Sequence, residues 1–70
     1  MVLQSVLIPK SKFTLKEAKK WIREHGYKES FYGKDVDITE KFYRFRQAAP
    51  KHGEYYVKKL SNGVELINYN

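Results

Sequence analysis

Two hydrophobic periods run along the chain. Between residues 15 and 25 the apolar stripe is Leu15, Ala18, Ile22 and His25, with Trp21 beside it. Spacings of three and four mark one face of a helix. Thr14-Leu15-Lys16-Glu17 precedes this stripe as a capping box, in which the Thr14 hydroxyl accepts from the Glu17 amide and Glu17 reaches back to the Thr14 amide. Phe13 and Ala18 stand where a hydrophobic staple would join them. At the other end Gly26 can take the left-handed turn that closes a helix, and Tyr27 follows as its apolar contact. The pattern predicts a helix over 15–25.

Elsewhere the period is closer to two. Gln4 to Ile8 is a β-prone run that Pro9 stops. Phe42 to Arg46 alternates, with Tyr43 and Phe45 on one face and Phe42, Arg44 and Arg46 on the other. Glu54 to Leu60 and Val64 to Tyr69 are two further strands around Ser61-Asn62-Gly63. A three-residue loop with Gly63 in the left-handed region sets Leu60 against Val64. It also pairs Lys59 with Glu65, Val57 with Ile67 and Tyr55 with Tyr69, a better chemical match than a two-residue loop gives. Between the helix and Asp37, Gly33 marks a turn and Ser30 to Tyr32 a brief extended stretch; the chain becomes β-like from Val36. Ala48 to Gly53, with His52, reads as a loop.

The order is β-α-β-β-β, an α+β domain with one helix packed on a mainly antiparallel four-stranded sheet. Sequential strands usually pair, so the last three are expected as an antiparallel meander. The first should join through the helix by a parallel or edge pairing. One helix covers one sheet face. The other is left open, with some of the six tyrosines on it.

Length and composition narrow the function. The 70 residues make a single domain, 1–70, with a formal net charge of +6 and an aromatic content of 16%, too aromatic for a disordered basic tail. A chain this short buries roughly 60% of its unfolded surface, which leaves little core on which to build a deep substrate pocket. There is no cysteine, hence no disulfide framework and no thiolate metal site. No apolar run reaches the roughly 18 residues of a membrane span, and no secretory signal is expected.

Candidate chemistry is sparse. Asp35, Asp37 and Glu40 lie close together but lack the pattern of a calcium loop. His25 reads as a helix-end contact and His52 as a loop residue, neither with an oriented acidic partner. No glycine-rich phosphate loop is present. The expectation is a non-enzymatic chain without metal or cofactor.

Basic residues interleaved with aromatics remain. Lys16, Lys19, Lys20 and Arg23 lie off the apolar stripe of the helix, interrupted by Glu24; Tyr43, Arg44 and Arg46 share one strand, and Lys58 follows Tyr55 and Tyr56 in the next. These eight, Lys16, Lys19, Lys20, Arg23, Tyr43, Arg44, Arg46 and Lys58, are the candidate contacts to DNA or RNA. The plain alternatives are a solvated helix face, core aromatics, and Arg44 and Arg46 paired with Glu54 or Glu65. A competing function is protein–protein contact or a virion-structural role through the Tyr/Arg-rich sheet face. A nucleic-acid binder predicts one continuous positive surface from the helix to Arg44 and Arg46. A protein-interaction module predicts dispersed charges and an exposed tyrosine patch.

The order of helix ending in His25-Gly26-Tyr27, Arg44-Phe45-Arg46-Gln47 and the Gly63-Val64 hairpin resembles a short module of tailed-phage and large-DNA-virus proteins. That module is also found attached to phage head-maturation proteases. The resemblance runs from about Ser5 to Ile67 and departs over Glu29 to Lys34. It implies a viral or prophage source and an accessory role. The setting would be host cytoplasm, nucleus or virion, with DNA, RNA or a viral or host protein as partner. It assigns no catalytic residue.

Overall fold

The computed structural model describes residues 2–51 and 53–69; His52 lies outside them. Helix α1 spans Leu15–Glu24, with Thr14 as N-cap and His25 as C-cap, one residue shorter than expected. Both halves of the capping box form: the Glu17 amide donates to Thr14 Oγ1 at 3.2 Å and the Thr14 amide donates to Glu17 Oε1 at 2.9 Å. At the other end Gly26 adopts φ +75°. Its amide donates to the Arg23 carbonyl and the Tyr27 amide to that of Ile22, the paired bonds of a Schellman motif.

Five strands form one antiparallel sheet: β1 (Val2–Pro9), β2 (Asp37–Ile38), β3 (Phe42–Arg46), β4 (Tyr55–Lys59) and β5 (Glu65–Tyr69). Their spatial order is β2-β3-β1-β5-β4. The mixed α+β class is as expected; the strand arrangement differs in two ways. A two-residue β2 adds a fifth strand. The expected meander is broken, because β1 lies between β3 and β5 and is antiparallel to both. A physical reason lies in β1 itself. Val6 and Ile8 are fully buried on one side, and on the other Leu7 is half-buried next to the fully buried Ser5. A strand apolar on both faces belongs in the middle of a sheet. Pro9, which was expected to stop the strand, is its buried last residue. The loop from β3 to β4 therefore crosses the ends of β1 and β5. The Gln47 and Ala48 amides donate to the Gln4 carbonyl, and the Tyr69 hydroxyl donates to the Ala49 carbonyl.

The β4–β5 hairpin is as read. Lys59, Val57 and Tyr55 lie opposite Glu65, Ile67 and Tyr69. The Leu60 amide donates to the Val64 carbonyl, the Gly63 amide to that of Leu60, and Gly63 has φ +90°. The segment between α1 and β2 contains a tight turn at Tyr32-Gly33, closed by reciprocal Phe31–Lys34 backbone bonds, with both turn residues at positive φ.

Helix α1 lies on one face of the sheet. Ala18 and Ile22 meet Val6, Ile8, Phe45 and Val64, all fully buried, with Phe13, Trp21, Tyr27, Tyr43 and Leu66 packed around them. Among the described residues no helix or strand covers the opposite face. No helix among the described residues is long and apolar enough to cross a membrane.

Candidate functional site: the open sheet face

The open face is set by an irregularity in β1. Leu3 lies opposite Asn68 and Ser5 opposite Ile67, so Gln4 is an extra residue, a one-residue bulge. Strict alternation would send Gln4 and Ser5 to opposite faces; the bulge turns both toward the open one. Gln4 is 2% exposed and Ser5 fully buried, so each polar group needs a partner. The Ser5 hydroxyl donates to Gln4 Oε1, and Gln4 Nε2 donates to the Ala48 carbonyl.

Arg44 completes this cluster from β3. Its Nε–H donates to Ser5 Oγ at 3.1 Å and its Nη2 to Gln4 Oε1 at 3.2 Å. No side-chain carboxylate of a described residue lies within 4 Å of it. Arg46, on the same face, takes Asp37 of β2 instead: Nε is 3.0 Å from Asp37 Oδ2. That contact is an ion pair without hydrogen-bond alignment, since the buried Nε–H finds no acceptor in line. Neither arginine uses Glu54 or Glu65.

Around Arg44 the face is concave. A groove of about 390 Å³ is lined by Gln4, Ser5, Leu7, Phe42, Arg44 and Ile67, with Thr39 and Tyr55 at its margins. Beyond it, Tyr55 and Tyr69 meet edge to face at 5.9 Å. Val57 on the outer strand is 56% exposed.

The other candidate residues lie elsewhere. Lys19 is paired with Asp35 at 3.3 Å and Arg23 with Glu29 at 3.3 Å. Lys16 and Lys20 are exposed on α1 and have no carboxylate of a described residue within 4 Å. Tyr43 faces the helix layer, with the Lys10 ammonium 5.9 Å from its ring centre. Lys58 lies opposite Leu66, so it too belongs to the helix side of the sheet. The helix cations and the two strand arginines thus lie on opposite sides of the sheet.

Gln47 has a structural role that its place in the Arg44-Phe45-Arg46-Gln47 run did not reveal. Its amide side chain accepts from the Lys28 backbone N–H at 2.7 Å and donates to the Lys28 carbonyl at 2.8 Å. It thereby fastens the segment after α1 to the end of β3. At the helix end His25 Nδ1 lies 2.8 Å from the Trp21 carbonyl, and the His25 ring stacks on Trp21 at 3.7 Å. Asp35 and Asp37 are taken by Lys19 and Arg46. No group of three potential metal-ligating side chains occurs among the described residues.

Among the described residues two carboxyls are displaced in pKa. Glu17 is lowered, first by the Thr14 backbone N–H and then by the Thr14 hydroxyl. Asp35 is lowered, first by the Val36 backbone N–H and then by Lys19. Both shifts follow from a helix cap and a loop contact.

Compared with protein-family models, with curated proteins and with solved structures, the chain finds no match.

Proposed function

We propose that this chain is a non-catalytic protein-interaction module that docks its partner on the open sheet face. An accessory role of this kind is also what the resemblance to the phage and large-virus module implies. The observation that carries the reading is the separation of the basic side chains. Lys19, Arg23 and Arg46 are neutralised by Asp35, Glu29 and Asp37, and the helix cations lie on the far side of the sheet from Arg44. A polyanion gains most from neighbouring unpaired cations along its path. The open face instead offers Tyr55, Val57, Phe42 and Ile67 beside one guanidinium, the mixture of aromatic, aliphatic and Arg that protein interfaces favour.

The test is capture by the tagged chain from the cells that encode it, with and without nuclease, followed by reconstitution with the purified partner. Two double variants divide the surface: Tyr55→Ser with Val57→Ser on the open face, and Lys16→Gln with Lys20→Gln on the helix. The expected partner survives nuclease and binds the helix variant like the parent. Its affinity for the open-face variant falls at least about tenfold, the loss of roughly 1.4 kcal/mol. Recovery that vanishes with nuclease, or with the helix variant alone, would establish the nucleic-acid reading instead. Melting curves confirm that both variants are folded.

A further inference from the structure

We infer that Arg44 is the receptor for a side-chain carboxylate of the protein partner, with apolar residues on either side of that carboxylate seated in the groove. The inference rests on the open-face docking reading and names the chemistry of its ligand.

A guanidinium has five N–H groups. Arg44 spends one on Ser5 Oγ and one on Gln4 Oε1, both neutral acceptors, and no carboxylate of a described residue compensates its charge. Its Nη1 has no acceptor among the described residues, and it is not among their buried, unsatisfied atoms. That nitrogen therefore keeps some solvent contact, on a side chain that lines the groove. The nearest register partner with a carboxylate, Asp37, is taken by Arg46.

The mount is also fixed. Gln4 and Ser5 are buried, bonded to each other, and Gln4 is tied to the Ala48 carbonyl. Their bonds to Nε and Nη2 fix the guanidinium plane and leave the Nη1 donors and one Nη2 N–H unspent. A preoriented Arg fork loses little freedom when it binds, and a carboxylate matches the fork with two parallel bonds.

The walls select what carries the anion. Leu7, Phe42 and Ile67 make the groove apolar around one cation. A nucleic-acid strand brings a phosphate with every nucleotide, whereas Arg46 is committed and Asp37 and Glu65 project on the same face. A lone carboxylate flanked by aliphatic or aromatic side chains fits; a run of phosphates meets repulsion.

The test uses two pools of acetylated, amidated pentapeptides, one with Glu fixed at the centre between apolar residues and one with Gln there. Binding to the full chain is followed by NMR through the amides of Gln4, Ser5, Leu7 and Ile67 and the Arg44 Nε–H. The Glu pool is expected to shift these signals and to bind at least about tenfold more tightly than the Gln pool, the scale of a charge-assisted pair. Arg44→Lys, which keeps the charge and loses the fork, should weaken the Glu pool and leave the Gln pool unchanged. Lys16→Gln with Lys20→Gln should change neither. Equal binding of the two pools, no shifts with either at millimolar concentration, or tighter binding of pentathymidylate at the same signals would each overturn the inference. Exchanging the ligand's charge keeps the result readable if Arg44→Lys does not fold. Failure here while Tyr55→Ser with Val57→Ser still abolishes partner binding would leave the docking face standing without its carboxylate receptor.

Discussion

Thr14→Ala removes the acceptor that satisfies the Glu17 amide and should cost about 1 kcal/mol. In a domain of this size that lowers the melting midpoint by about 4–8 °C, measurable by circular dichroism. The reciprocal half of the cap predicts a pH dependence. The folded pKa of Glu17 is lowered, chiefly by the Thr14 backbone N–H, so its ionised form is favoured by folding. The stabilisation is present above the unfolded value and is lost as pH falls through the lower folded one. Asp35, also lowered, adds to the same acid limb. Glu17→Gln should therefore flatten the fall of the midpoint with pH on the acid side of the ordinary Glu value. An unchanged acid limb would show that Glu17 is not a contributor. At this scale the cap was legible because its partners lie three residues apart. The arginine partners were not. Arg44 bonds to Gln4 and Ser5, some 39 to 40 residues away, through a bulge that alternation does not foretell.

Among the elements, the β4–β5 hairpin makes the sharpest prediction. Gly63 has φ +90°, and a Cβ there would come within 3.2 Å of Pro9 Cγ. Gly63→Val should cost about 1–3 kcal/mol for the backbone alone, with the Pro9 contact adding to it. A urea midpoint equal to that of the parent would show that the turn tolerates another geometry. This hairpin was readable because its register follows from adjacent residues: three loop positions bring Lys59 to Glu65 and Tyr55 to Tyr69. The position of β1 follows from burial on both faces, which couples residues at opposite ends of the chain. The Val6-Leu7-Ile8 run carried that signal, but a run so short suits an edge strand as well as a central one. The two residues of β2 are too few to show any period. They are held by pairing with Tyr43 and Arg44 rather than by their own propensity.

For the whole molecule the layer arrangement matters more than the net charge. The sequence carries +6, but Lys16, Lys19, Lys20 and Arg23 sit on α1 while Arg44 and Arg46 project from the opposite side of the sheet. Composition could not reveal this division, because it depends on which strand face the helix covers. Another property of the layout concerns the path of the chain. Val2 lies opposite Tyr69, so the polypeptide enters and leaves the sheet on adjacent, oppositely directed strands. The backbone is a nearly closed ring, and where it is cut matters less than how the strands are ordered. A circular permutant that joins Tyr69 to Val2 through a short Gly/Ser bridge and opens between Tyr32 and Gly33 should fold with a loss of no more than about 2 kcal/mol. Amide resonances of β1 and β5 that match the parent would verify it; an unfolded permutant would mean that the cut segment is required to start folding. The same geometry makes the domain a cassette, able to sit within a surface loop of a larger host protein while separating the two sides of that loop by little more than one strand spacing.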